Sequence, residues 1–181
     1  MKLTAIDLNQ DPALAKKARA LYLAAFPREE RLPWPVLRLN ALRRGIDLTA
    51  WTDSGRFCGF TASVTQGGMH FLLFFAVAEE CRGQGMGSAI LRQLRQTFDT
   101  VVLNVEPLVP DAPNLAQRQR RFRFYEKNGL VDTRYHVWEV GGMFRVLSTS
   151  PRLDVPAYKK IFRKLTLGVW NVKLLPAEEQ M

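Results

Sequence analysis

Apolar positions along the chain follow two alternating spacings, and the spacing changes where glycine or proline interrupts it. Runs that alternate or are rich in β-branched and aromatic residues predict strands. Runs in which apolar residues recur every three or four positions predict helices. The predicted strands are 2–7, 46–53, 56–65, 69–78, 100–106, 130–140 and 143–149. The predicted helices are 13–25, 36–44, 88–98, 115–128 and a basic helix at 154–164.

Short glycine-containing turns join several of the predicted strands. The turns lie at 54–55, 66–68 and 141–142, and they predict hairpins within an antiparallel meander. The chain shows no internal repeat and no linker segment. The pattern therefore predicts one α/β domain over 1–181, in which 151–181 is a C-terminal helical extension.

The length and composition exclude several classes of protein. The chain has 181 residues, 47% hydrophobic and 24% charged, which is the balance of a globular protein rather than a disordered, collagen-like or coiled-coil one. Its longest apolar run, near 71–78, has the length of a strand, and charged residues interrupt the N-terminal region where a signal peptide needs an apolar core. We therefore expect a cytoplasmic protein that does not span a membrane. The two cysteines, Cys58 and Cys81, lack the spacing of a zinc site, and we expect no metal.

The chain is strongly basic, with 26 Lys+Arg against 17 Asp+Glu and a formal net charge of +9. Such a surplus favours an anionic ligand, which could be a nucleic acid, an acidic surface or a phosphorylated cofactor. A basic surface that only keeps the protein in solution is the alternative. Charge alone does not decide between these explanations.

A glycine-rich loop with the sequence RGQGMGS occupies 82–88, between an apolar strand and an amphipathic helix. Glycine lets the backbone approach a ligand closely, and N–H groups of the first helical turn have no partner within the helix. Together with the helix dipole, these donors suit a phosphate or a diphosphate. The loop lacks the third glycine of the dinucleotide fingerprint and the Lys-Ser/Thr pair of the Walker loop. A nucleotide of another kind is therefore indicated.

In this loop the sequence resembles the GNAT superfamily of N-acetyltransferases, whose signature is Arg/Gln-x-x-Gly-x-Gly/Ala. Residues 82–87 have that pattern, after the strand residues 75–77 and before a helix. A second segment, FYEKNGL at 124–130, is similar to the Tyr-Glu-Lys-x-Gly-Phe segment of the same family. The resemblance implies a GNAT fold, with a mixed, mostly antiparallel sheet of about seven strands flanked by about four helices. It also implies acetyl-CoA as cosubstrate.

The resemblance assigns the cofactor contacts by motif position. Backbone N–H groups of 83–88 would hold the CoA diphosphate, and the backbone of 75–77 would bind the pantetheine arm and orient the thioester carbonyl. Tyr125 would lie near the thioester sulfur and protonate the departing thiolate, and a packed core tyrosine is the alternative for this residue. The expected cofactor-binding residues are Phe75, Ala76, Val77, Arg82, Gly83, Gln84, Gly85, Met86, Gly87, Ser88, Arg118 and Arg121.

Two arginines in the helix before Tyr125 depart from the family pattern, which often has Asn and Ala at these places. Arg118 and Arg121 lie seven and four residues before Tyr125 and so share its helix face. Their guanidinium groups could hold a CoA phosphate or an acidic acceptor, and a solvated arginine face is the alternative. With Phe122 and Phe124 the segment is also similar to basic-aromatic RNA-binding sequences. Helical spacing, however, sends both rings toward packing.

Direct attack of an amine on a thioester requires a base, because an amine is protonated at neutral pH. Glu106, at the end of a predicted strand, is the first candidate for this base. Glu29 and Glu30 in the early proline-rich loop are the second candidates. A solvent-facing carboxylate is the alternative for each of them.

The early proline-rich loop occupies the place where GNAT folds have a lid over the acceptor. The resemblance therefore implies that Phe26, Glu29, Glu30 and Trp34 contact the acceptor, and a proline-shaped packing loop is the alternative. The tail around Trp170 is expected either to cover a sheet face or to make a homodimer contact.

These observations predict an acyltransferase that moves the acetyl group of acetyl-CoA to a primary amine of a small molecule or peptide. Its expected partners are acetyl-CoA and the amine acceptor, with neither a nucleic acid nor a membrane. A basic RNA-binding protein and a non-catalytic acyl-CoA-binding module are the alternative functions. The sequence does not indicate which amine is acetylated.

Overall fold

Eight strands and five α-helices alternate along the residues that the computed structural model describes, which are 2–139, 142–168 and 172–176. The strands are β1 (Leu3–Asp7), β2 (Ile46–Asp53), β3 (Arg56–Gln66), β4 (Met69–Val77), β5 (Thr100–Val105), β6 (Val131–Glu139), β7 (Gly142–Ser148) and β8 (Lys173–Pro176). The helices are α1 (Pro12–Ala25), α2 (Trp34–Asn40), α3 (Met86–Thr97), α4 (Leu115–Lys127) and α5 (Val155–Leu165). Strand pairing is mixed and mostly antiparallel, so the predicted α/β class is confirmed.

The chain divides into two compact units. The first unit comprises Met1–Thr65 and Leu72–Thr97, and the second comprises Gln66–Phe71 and Phe98–Met181. The strand order is β1-β2-β3-β4 in the first unit and β5-β7-β6-β8 in the second. The pairs β1–β2, β2–β3, β5–β7, β6–β7 and β6–β8 are antiparallel. The single domain expected from the sequence stays a prediction.

The core of the first unit includes the buried face of α1. This helix begins where the side chain of Asp11 accepts a hydrogen bond of 2.9 Å from the amide of Leu14, and Pro12 occupies the first turn, where its missing N–H needs no partner. Tyr22 on the same helix is fully buried, and its ring centre lies 4.9 Å from that of Phe74 on β4. Aromatic packing therefore holds α1 against the sheet of this unit.

The core of the second unit includes α5. Asp154 caps this helix by accepting a hydrogen bond of 2.9 Å from the amide of Ala157. Tyr158 and Ile161 are fully buried, and the ring of Tyr158 lies edge-on to Phe71 at 5.7 Å between centres. The helical part of the C-terminal extension therefore belongs to the core of this unit.

Three helices begin earlier than the sequence predicts: α1 by one residue, and α2 and α3 by two residues each. The helix α2 starts at Trp34 rather than 36 and ends at Asn40 rather than 44. Pro35 lies in its first turn, where a residue without an N–H is tolerated, so this proline does not exclude a helix. The helix α3 starts at Met86 rather than 88, so the last residues of the glycine loop are helical.

The C-terminal extension contains a strand where the sequence predicts only a helix. The strand β8 pairs with β6 between Tyr135 opposite Pro176 and Trp138 opposite Lys173. A segment this short has too few positions for a periodic pattern to identify it. Gly141 of the third predicted turn and Trp170 of the tail lie outside the described residues.

Candidate active site

The glycine-rich loop lies at the start of α3 in the first unit, as predicted. Gly83 and Gly85 have φ angles of 73° and 77°, which favour glycine because a side chain is strained there. A Cβ atom built on either glycine would meet no other atom of the described residues within 4 Å. Backbone conformation rather than packing therefore requires glycine at these positions, and the loop faces open space.

The first turn of α3 directs backbone donors out of the helix. Its first intrahelical hydrogen bond runs from the amide of Ala89 to the carbonyl oxygen of Gly85, at 3.0 Å. The amides of 86–88 come before that bond and have no acceptor inside the helix. Met86 is almost completely buried and anchors the turn, while Ile90 on the next turn is fully buried. A rigid helix end with outward N–H groups is suited to an anion.

The polar side chains of the loop bind the protein itself. Nε of Arg82 donates to the carbonyl oxygen of Val77 at 3.0 Å, and Nε2 of Gln84 donates to that of Glu80 at 2.7 Å. The Oε1 atom of Gln84 accepts from Nη2 of Arg56 at 3.3 Å. The side chains of Arg82 and Gln84, which were expected at the cofactor, thus brace the loop. Arg56 was not among the residues predicted from the sequence.

The end of β4 packs tightly on β3. A Cβ atom on Gly59 would stand 2.4 Å from the carbonyl oxygen of Ala76 and 3.2 Å from Cα of Val77. The amide of Ala78 donates to the carbonyl oxygen of Cys58 at 2.8 Å. The backbone predicted to bind pantetheine, 75–77, is therefore held rigidly, with the Val77 oxygen already bonded to the loop.

The cysteine beside the loop is a packing residue. Cys81 is fully buried, and so is Cys58 on β3. Burial, with a further contribution from the neighbouring Cys58 thiol, raises the pKa of Cys81 to about 11. The thiol stays protonated at neutral pH and is a poor nucleophile.

Tyr125 lies near the end of α4 in the second unit. Its side chain is 7% exposed, and burial raises the pKa of its phenol to about 12, while the charge of Arg121 one turn earlier lowers it. Gly129 ends the helix with a φ of 79°, and the amide of Leu130 donates to the carbonyl oxygen of Tyr125 at 3.1 Å. The phenol is therefore held in place and protonated at neutral pH.

Glu106 follows β5 and forms a cluster with α4. Its Oε1 lies 3.0 Å from Nη2 of Arg118, and its Oε2 lies 2.8 Å from Nη1 of Arg121. Its side chain is only 16% exposed. Two guanidinium groups thus occupy the oxygens that a general base would use, which the sequence did not indicate.

Arg118 and Arg121 differ in how many of their guanidinium donors are already hydrogen-bonded within the protein. Arg118 also donates from Nε to Asn114 at 2.7 Å and from Nη1 to the carbonyl oxygen of Pro107 at 2.9 Å, so it ties α4 to the loop before it. The side chain of Arg121 is 39% exposed, and its only described bond is the one to Glu106. The expectation that both hold a CoA phosphate therefore fits Arg121 better than Arg118.

The aromatic residues of α4 are packed. The guanidinium of Arg145 on β7 lies 4.9 Å above the ring of Phe122. The ring of Phe124 lies edge-on to Tyr125 at 5.3 Å. Both rings are half-buried and already in contact with a neighbouring side chain, which favours the packing role over RNA stacking.

The early loop is held to the core by its aromatic residues. Tyr22 lies 5.6 Å from Phe26 and 5.7 Å from Trp34 between ring centres, and its hydroxyl donates to the carbonyl oxygen of Leu32 at 3.0 Å. Phe26 and Trp34 are nevertheless half-buried rather than enclosed. Glu29 is exposed. The packing alternative therefore describes much of this loop, and the predicted acceptor contacts are untested.

The family comparison matches the middle of the chain. Residues 47–131 match the family model of the acetyltransferase (GNAT) domain. This part of the chain resembles a GNAT domain. The matched range contains the glycine loop, Glu106 and Tyr125, and it does not include the early loop or the C-terminal extension.

Solved structures with the GNAT fold resemble this chain over most of its length. A Bacteroides thetaiotaomicron protein, described as an acetyltransferase from the GNAT family, has a TM-score of 0.70 at 21% identity, covering 94% of this chain and 100% of its own. An aminoglycoside 6′-N-acetyltransferase complexed with coenzyme A has a TM-score of 0.65 at 18% identity, covering 85% and 100%. The ribosomal-protein-S18-alanine N-acetyltransferase from Escherichia coli has a TM-score of 0.59 at 18% identity, covering 83% and 95%. The predicted GNAT fold is confirmed.

No curated protein matches the sequence. Within the described ranges, no helix is long and apolar enough to cross a membrane. Across the same residues, no three His, Cys, Asp or Glu side chains gather into a group that could hold a metal ion.

Proposed function

We propose that the protein is an N-acetyltransferase that moves the acetyl group of acetyl-CoA to a primary amine of a small molecule or peptide. The family match supports an acyltransferase. The observation that carries the proposal is the loop before α3, where Gly83 and Gly85 have positive φ and face open space inside the range that matches the GNAT family model. The loop suits a diphosphate, because its backbone amides can approach one without interference from side chains.

The proposed reaction is a direct transfer in which the amine nitrogen attacks the thioester carbonyl carbon. A C–N bond forms, the C–S bond breaks, and the nitrogen loses a proton to a base or to water. The departing CoA thiolate takes up a proton from Tyr125. The proton released by the amine restores the phenol, so the products are an amide and the free thiol of CoA.

Tyr125 is protonated at neutral pH and can therefore donate a proton, although the pKa raised by burial makes it a weaker acid than an exposed phenol. Its position is fixed by burial and by the end of α4, which is the positioning that a weak acid requires. The nearby charge of Arg121 favours the phenolate that proton donation leaves behind.

Glu106 remains the first candidate for the base, although both of its oxygens are paired with arginine. As a base it would have to exchange one of these ion pairs for the amine. The exposed carboxylate of Glu29 has no such competition among its described contacts and is the next candidate, together with Glu30. The half-buried rings of Phe26 and Trp34 would offer the acceptor apolar contact.

The acceptor class includes both small molecules and peptides. Two proteins of this fold are named for an aminoglycoside and for an alanine of a ribosomal protein. These names describe those proteins, and at 18% identity their substrates do not transfer to this chain. We therefore propose the class, an amine, and leave the acceptor to the experiment.

Two measurements test the proposal in sequence. A rise in melting temperature with acetyl-CoA and with CoA, but not with an oligonucleotide at the same ionic strength, is expected for the cofactor site. Release of CoA thiol is then followed over a panel of amines that contains aminoglycosides, polyamines, amino acids and peptides. Binding without turnover on any of these amines would favour a non-catalytic acyl-CoA-binding module instead.

A further inference from the structure

Arg56, at the start of β3, lies beside the glycine-rich loop in the folded first unit. It follows the hairpin turn after β2 and lies 28 residues before Gln84 in sequence, yet its Nη2 donates to Oε1 of Gln84 at 3.3 Å. Its charge also acts on the Cys81 thiol: it lowers the pKa of that thiol, while burial raises the same pKa by more. Arg56 is therefore a neighbour of the loop as a whole.

Gln84 connects Arg56 to the backbone of the loop. Its Nε2 donates to the carbonyl oxygen of Glu80 at 2.7 Å, which leaves Oε1 as the acceptor for the guanidinium. A glutamine whose amide is held on one side presents its oxygen in a defined direction. The position of the Arg56 guanidinium is therefore set by Gln84.

Arg56 retains binding capacity beyond this contact. Its side chain is exposed, and Gln84 is the only side-chain hydrogen-bond partner of its guanidinium among the described residues. Glu79 and Glu80 lie in the turn before the loop, but neither forms a described ion pair with Arg56. A guanidinium has five N–H donors in a planar fork, which matches the oxygens of a phosphate.

We propose that Arg56 binds a phosphate group of the CoA that the loop holds, and that Gln84 is a positioning residue for this contact. The inference rests on the proposed function, because it takes CoA to be the ligand of the loop. CoA carries a diphosphate and a 3′-phosphate, and either could meet the guanidinium. The loop amides supply direction, whereas Arg56 adds the positive charge that the backbone lacks.

Calorimetric titration of the full chain with CoA and with 3′-dephospho-CoA tests the proposal. Arg56→Ala is expected to weaken CoA binding by about tenfold. Arg19→Ala, which removes the same charge from an exposed position on α1, is expected to change it by less than about twofold. An equal loss for both ligands assigns the diphosphate, and a loss seen only with CoA assigns the 3′-phosphate. CoA binding by Arg56→Ala equal to that of the unmodified chain would overturn the inference.

Gln84→Ala separates a positioning role from a merely structural one. It is expected to weaken CoA binding by about threefold in the unmodified chain and to have no further effect in the Arg56→Ala background. Equal losses in both backgrounds would show that Gln84 acts independently of Arg56. The melting temperature of ligand-free Arg56→Ala should stay unchanged because this side chain is exposed, whereas Gln84→Ala also loses its bond to Glu80 and should melt slightly earlier. Failure of the unmodified chain to bind CoA would instead remove the proposed function and this inference with it.

Discussion

Arg121 precedes Tyr125 by one helical turn on α4. Burial raises the pKa of the Tyr125 phenol, the charge of Arg121 lowers it by less, and the resulting pKa is about 12. Removing this charge is expected to raise the pKa of the phenol further, because the phenolate loses a stabilising neighbour. NMR titration of the Tyr125 ring in Arg121→Met should therefore show the phenolate forming at higher pH. Arg123→Met on the exposed side of the same helix is the control and should leave the titration in place. An unshifted titration in Arg121→Met would contradict the coupling.

The buried imidazole of His70 should make the free energy of unfolding depend on pH in the acidic range. Burial lowers its pKa to about 4, and its ring stacks on Phe98 at 3.8 Å. Below a pH of about 6.5 the unfolded chain binds a proton that the folded chain does not, so the free energy of unfolding should fall by about 3 kcal/mol as pH drops toward 4. Urea unfolding across this range measures the slope.

The variant that tests this slope is His70→Phe. It is expected to flatten the fall in stability between pH 6.5 and about 4. If His70→Phe retains the full slope, the proton uptake belongs to other groups.

Gly85 allows a test of the loop backbone with a matched glycine as control. Gly85→Ala and Gly168→Ala both place a Cβ in open space at a positive φ, 77° and 82°, so each should lower the free energy of unfolding by about 1 kcal/mol. Only Gly85→Ala should also weaken CoA binding, because its methyl group would stand where the diphosphate is proposed. Thermal melts and calorimetric titration give the two readings, and equal CoA affinity in both variants would argue against the loop as the site.

Glu106 is expected to matter for stability whatever its part in catalysis. Glu106→Gln leaves Arg118 and Arg121 without their half-buried anion, and we expect a loss of about 2 kcal/mol in the free energy of unfolding. Glu126→Gln, an exposed residue of α4, should cost less than about 0.5 kcal/mol. A Glu106→Gln enzyme that keeps its turnover rate would exclude this carboxylate as the base and direct attention to Glu29 and Glu30.

Local patterns predicted most of the fold because they report on one element at a time. β2 occupies 46–53 as predicted, and α4 ends where Gly129 takes a left-handed conformation. The predicted start of α2 was wrong because Pro35 was taken to exclude a helix, although a proline is tolerated in the first helical turn. β8 was missed because its pairing with β6 depends on a partner strand far away in sequence.

The candidate site divides in the same way. The glycine loop is a continuous segment and could be found from the sequence. The contact between Arg56 and Gln84 joins residues 28 positions apart, so it depends on tertiary structure. Glu106 was identified as a carboxylate at a strand end. Its ion pairs with Arg118 and Arg121, 12 and 15 residues later, could not be predicted, because the sequence pattern does not show which way these side chains point. The packing of Tyr22 against Phe26 and Trp34 is equally a product of tertiary structure.

The pairing of β8 with β6 affects how shortened forms of this protein would behave. Residues 173–176 cover the backbone of 135–138, and removing them would leave that strand with unpaired amide and carbonyl groups beside the exposed Trp138. Uncovered strands of this kind recruit strands from other molecules. A shortened form that lacks residues 173–176 should therefore aggregate more readily than the full chain.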